Sequence, residues 1–94
     1  MRLVSFAPHT DGTADGDVSR MKGGIIYPGS PCKSHEHPDW HLTVIVSGVA
    51  IIRGKTGTFR VSAGDAVEVL AHESHEIEAI NGPVEYRCVG NKGF

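Results

Sequence analysis

The chain has 94 residues, enough for one domain with one modest core. Nine Lys and Arg stand against 11 Asp and Glu, a net charge of −2 that lacks the basic excess of a nucleic-acid-binding surface. Apolar residues make up 39% and charged ones 21%, which excludes a highly charged disordered tail, and apolar runs such as Val49–Ile52 are too short for a membrane-spanning helix.

Met1–Ala7 has no long apolar stretch of the kind a secretory signal carries, so a cytoplasmic location without a membrane partner is expected. Arg2–Ala7 reads as a first strand closed by Pro8, and His9–Asp17 as a loop without periodicity. Met21–Tyr27 is a second strand, ended by the turn Pro28-Gly29. Lys33–His37 alternates and stops at Pro38-Asp39. His41–Val46 and Val49–Arg53 are β-rich runs, with a tight turn expected at Ser47-Gly48. Gly54–Gly57 is a hairpin turn before Thr58–Val61, and Ala63-Gly64-Asp65 a turn before Ala66–Leu70. His75–Ile80 and Val84–Val89 flank Asn81-Gly82, the strongest hairpin signal in the chain. No window has helical period, and no linker or charge block marks a second domain. The expectation is an all-β barrel or sandwich of about nine short strands, one domain over residues 1–94.

Five of the six histidines fall between His35 and His75. On a strand, His35 and His37 share a face, about 6.6 Å apart, a spacing from which two imidazoles converge on one ion. Glu36 between them points the other way. His41 opens the next strand and His75 a later one, and neighbouring strands of a barrel bring such positions together. The set His35, His37, His41 and His75 therefore reads as a metal site, while His9 reads as a loop residue and His72 as a turn residue. His72-Glu73-Ser74-His75 is one residue short of the zinc-protease pattern HExxH. Cys32 and Cys88 are expected as reduced thiols, with Cys32 a conceivable soft ligand.

The segment Gly29-x5-His35-x-His37-x3-His41-x6-Gly48 resembles the first signature of the cupin superfamily, and Gly64-Asp65 through His75 resembles the looser second one. His41 stands where that family usually has glutamate, Leu70 where it has proline, His72 where it has glycine and Ala79 where it has asparagine. The resemblance covers Gly29 to about Ala79. It implies a small jelly-roll barrel holding a divalent transition metal (Fe, Mn, Ni, Cu or Zn) on His35, His37, His41 and His75. His72 can still take the glycine's place, since histidine is among the side chains better tolerated at positive φ. Four neutral imidazoles leave such a site at about +2, against about +1 with a glutamate ligand, which favours an anionic ligand.

Thr43 and Ile45 share the face of His41, and Ile77 and Ala79 that of His75; with Phe59, Val61, Tyr86 and Cys88 they are read as core or pocket wall. Trp40 is expected to roof the barrel mouth or pack in a dimer contact. Asp39, Glu73 and Glu76 are candidate partners for the ligands' second ring nitrogens. His41–Val46 is apolar on both faces, and cupins are commonly dimers, so a homodimer is expected. Three functions compete: a metal-dependent enzyme on a small, anionic organic substrate, of dioxygenase type first and of isomerase or lyase type second, with Glu73, Glu76 or Tyr86 as its base; a metal-assisted binding or sensing module; and a purely structural metal site. The reaction's catalytic residues are not assigned by the sequence.

Overall fold

The computed structural model describes residues 1–5 and 20–90, so the expected loop His9–Asp17 and all but the first residue of the expected tail Gly90–Phe94 lie outside the described residues. Seven antiparallel strands are present among them: β1 (Arg2–Ser5), β2 (Arg20–Ile26), β3 (Cys32–His35), β4 (His41–Gly54), β5 (Gly57–Ser62), β6 (Asp65–Val69) and β7 (His75–Gly90). The all-β expectation holds, and among the described residues no helix is long and apolar enough to cross a membrane.

Two expected turns are not turns. The runs His41–Val46 and Val49–Arg53 form one 14-residue strand, β4, and His75–Ile80 and Val84–Val89 form one 16-residue strand, β7. This is why about nine expected strands become seven. Ser47-Gly48 and Asn81-Gly82 carry the backbone signature of turns, with φ of 89° at Gly48 and 62° at Asn81. They lie opposite each other, however, where β4 pairs with β7. Between the pairs Ser47↔Glu85 and Val49↔Ile80 the register shifts, so the left-handed residues make a bulge and a bend rather than a reversal.

The bend splits one sheet into two. The first half of β4 pairs with β6 and with the second half of β7, which in turn pairs with β2; β1 extends this layer on β6. The second half of β4 pairs with β5 and with the first half of β7, which also pairs with β3. Inward-facing Ile26, Ile45, Val67 and Val69 from one layer meet Ala50, Ile52, Val61 and Ile77 from the other in a single core. Each large aliphatic among them stabilises the fold by about 1.5–3 kcal/mol through burial.

Gly48 is required at the bend for a second reason. A Cβ there would lie 2.4 Å from the carbonyl oxygen of Pro83 and 3.1 Å from Val84. The β6–β7 connection contains the other notable backbone. His72 has φ of 61°, as its place in the signature implied, and its N–H donates to the carbonyl of His37 at 2.7 Å. Its side chain is exposed, 3.5 Å from that of Glu36. Trp40 is buried, and its Nε1–H donates at 3.0 Å to Glu68, a buried carboxylate that also meets Arg2 at 3.0 Å. The indole thus pins the start of β4 instead of roofing the barrel mouth.

Two outcomes test this description by urea unfolding. Gly48→Ala should lower stability by more than about 2 kcal/mol, because strain and a backbone clash add. Gly64→Ala, also at positive φ but with nothing within 4 Å of the new Cβ, should lose only about 1 kcal/mol. His72→Gly should leave stability equal or raise it by up to about 1 kcal/mol, whereas His72→Val should cost about 1–2 kcal/mol.

Candidate metal centre

The site forms where β3 and the start of β7 face the start of β4. His35 and His75 are cross-strand partners, which brings their rings to 4.4 Å between centroids. His37 lies beyond the end of β3, not on the strand as alternation suggested, yet its ring stands 4.7 Å from that of His35 and 5.4 Å from that of His75. The His72 N–H on its carbonyl ties this short loop to the β6–β7 connection. Metal-ligating atoms of His35, His37 and His75 all lie within 4.8 Å of one another. Two nitrogens on one tetrahedral ion are about 3.4 Å apart, so small side-chain rotations close the set.

His41 is the fourth ring, 5.0 Å from His37 and 5.2 Å from His75. It opens β4 and pairs with Gly90 at the end of β7. That approach depends on glycine: a Cβ on residue 90 would fall 2.4 Å from the Trp40 carbonyl oxygen and 2.7 Å from His41 Cα and Cβ. Gly90 was not singled out by the sequence, where it looked like the start of a tail.

Two of the four imidazoles are oriented by the backbone. His35 Nδ1 lies 2.7 Å from the Lys33 carbonyl oxygen, and His75 Nδ1 lies 3.0 Å from that of Glu73. A carbonyl only accepts, so each Nδ1 carries the proton and each Nε2 presents a lone pair to the centre. This is the arrangement a metal-ligating histidine needs. The side chains expected in that role do other work. Glu73 accepts from Leu70 N at 3.1 Å and meets the amino group of Met1; Glu76 lies 3.8 Å from Arg53; Asp39 accepts from Trp40 N at 3.3 Å.

Burial keeps His41 and His75 neutral. His41 is pushed down to about 3, first by burial and then by the charges that His75, His37, Lys22 and His35 would bring near it. His75 is lowered chiefly by burial, against the opposing hydrogen bond to the Glu73 carbonyl. Neutral imidazole is the form that ligates a metal. The donor chemistry therefore fits a first-row transition metal, with His35, His37 and His75 as a converging set and His41 beside them.

The rings line a cavity of about 180 Å³, completed by Thr43, Ile77, Tyr86, Lys22 and both cysteines. The cysteines are free thiols; Cys32 Sγ lies 3.8 Å from His35 Nδ1, and Cys88 Sγ lies 3.4 Å from Thr43 Oγ1. Burial raises both thiols and the Tyr86 hydroxyl, so all three stay protonated at neutral pH. Neither Glu73 nor Glu76 reaches this cavity, so of the three bases suggested by the sequence only Tyr86 faces it.

A family model described as the AraC-like ligand-binding domain matches residues 25–93. No curated protein matches the sequence significantly. Among solved structures, a Thermotoga maritima protein described as a predicted oxalate decarboxylase is 25% identical with a TM-score of 0.67, over 73% of this chain and 62% of that one. An RmlC-like cupin with a double-stranded β-helix from Methanocaldococcus jannaschii is 17% identical with a TM-score of 0.68, over 74% and 66%. Bacillus subtilis oxalate decarboxylase, a protein with Mn(II) centres, is 22% identical with a TM-score of 0.71, over 79% of this chain but 22% of its own. The chain thus spans less than two thirds of the T. maritima protein and of the B. subtilis enzyme. With a family model covering most of its length and a strand arrangement shared with double-stranded β-helix proteins, this chain belongs to the AraC-like ligand-binding domains, within the cupin superfamily.

Proposed function

We propose that this protein is a metal-dependent cupin that takes a small anionic organic molecule into its barrel and acts on it beside the ion. The observation that carries the reading is the convergence of the His35, His37 and His75 ring nitrogens within 4.8 Å on the wall of an interior cavity that His41 also lines; His41 is proposed as the fourth ligand. A bound ion would supply Lewis acidity and, if it is redox-active, a place for dioxygen. The chain's own residues do the rest. The Lys33 and Glu73 carbonyls hold two rings in the ligating tautomer, and burial keeps His41 neutral. Imidazole donors add no negative charge, so an ion held by them would keep a charge of about +2 toward the cavity, which favours an anion.

Among enzymatic readings, chemistry of the dioxygenase type is favoured over isomerase or lyase chemistry. The latter needs a base beside the ion, and no carboxylate is among the described residues lining the cavity. Tyr86, held protonated by burial, serves as a hydrogen-bond donor to the bound molecule instead. A second reading, ligand sensing without turnover, has support from the family itself, whose model is named for ligand binding. We further propose a homodimer, on the support of the exposed apolar side chains Met21, Ile25 and Tyr27 on and beside β2.

Elemental analysis of tag-free protein should find stoichiometric transition metal, and the ion at 100 times its Kd should stabilise the fold by about 2.7 kcal/mol in thermal melts. His75→Ala should abolish that gain and Glu76→Ala should not. Protein that takes up no ion after reloading would overturn the reading. Oxygen consumption across a panel of small carboxylates separates turnover from sensing, and sedimentation at micromolar concentration should report twice the chain mass.

A further inference from the structure

We propose that Lys22 is the specificity anchor of this site: a small dicarboxylate bridges the ion held by the histidines and the Lys22 ammonium at the rim of the cavity. This rests on the metal reading above and goes beyond it by naming a residue and a ligand class.

The placement of Lys22 follows from strand alternation. On β2 the outward positions Met21 and Ile25 are 68% and 55% exposed, whereas Ile26 is 5% exposed and packs in the core. Lys22 shares the face of Ile26, with Gly24 between them. Its cross-strand partner is Cys88, which is buried and lines the cavity. Lys22 lines the same cavity while remaining exposed, so its stem rises along the inner wall and its head stands in the mouth. Gly24, next inward on that face, leaves room: a Cβ there would only touch the Tyr86 ring at 3.5–3.7 Å.

Charge gives the ligand class. The described lining residues include one lysine, four histidines and no carboxylate. The Lys22 charge reaches His41, Cys32 and Cys88 across the cavity. Two positive charges, one on an ion at the histidines and one at the rim, enclose a space of about 180 Å³, on the order of six water volumes. A compact molecule with an anionic group at each end satisfies both, and a monocarboxylate satisfies only one.

The test uses metal-loaded full-length chain, titrated calorimetrically with oxalate, malonate, succinate and acetate, with bound metal measured before and after. At least one dicarboxylate should bind wild type, and Lys22→Ala should weaken it about tenfold with unchanged metal content and melting temperature. Lys22→Arg should stay within about threefold of wild type, and acetate binding should change by less than about threefold. Equal dicarboxylate affinity in Lys22→Ala, or no dicarboxylate binding to metal-loaded wild type, overturns the anchor while leaving the metal reading intact. Loss of metal from Lys22→Ala also overturns it, because Lys22 would then support the ion's pocket and not the ligand. Wild type that takes up no metal overturns the metal reading and the bridge together.

Discussion

The pairing of β4 with β7 is the contact on which the molecule depends. Each strand is long enough to belong to two layers, and each bends where the other does. The bend needs a residue at positive φ and, at Gly48, the absence of a Cβ that would strike Pro83. Were the strands straight, they would form one open sheet, and the inward residues of their two halves would not meet. With the bend, the ends of β4 and β7 return to a common mouth, and the histidines they carry arrive there with the rest.

The candidate centre shows how little of a ligand set's order comes from side chains. Backbone carbonyls of the residues two places before His35 and His75, Lys33 in β3 and Glu73 in the β6–β7 connection, orient both rings. The backbone N–H of His72 holds the His37 loop, and a glycine at residue 90 admits His41. Acidic residues close in sequence to the ligands instead tie down the surroundings: Glu73 the β6–β7 connection, Glu76 and Glu78 the Arg53 side chain. This division leaves the cavity without negative charge among its described lining residues, and the chemistry available there follows from that sign.

The buried Trp40–Glu68–Arg2 contact illustrates a cost that the fold carries at its rim. A buried carboxylate is unfavourable unless hydrogen-bonded, and Glu68 receives an indole N–H and a guanidinium. The return is position: Trp40 precedes His41 directly, so anchoring the indole to β6 places the first residue of β4 against β7. Glu68 carried no signal in the sequence, where an acidic residue inside an apolar run reads as an outward-facing strand position.

Strand content, most strand positions and the candidate ligands His35, His37, His41 and His75 were legible in the sequence, because alternation, turn residues and histidine spacing are local properties. The family resemblance was legible for the same reason, its signature being a spacing. What only the tertiary structure decided was the meaning of Ser47-Gly48 and Asn81-Gly82. A left-handed residue reverses a chain when its two flanking strands pair with each other, and merely bends it when both pair with a third. The local sequence is the same in the two cases, and the choice is made by partners some 35 residues away. The neutral state of His41, the roles of Gly90 and Glu68, and the place of Lys22 in the cavity wall depend on the same long-range pairing.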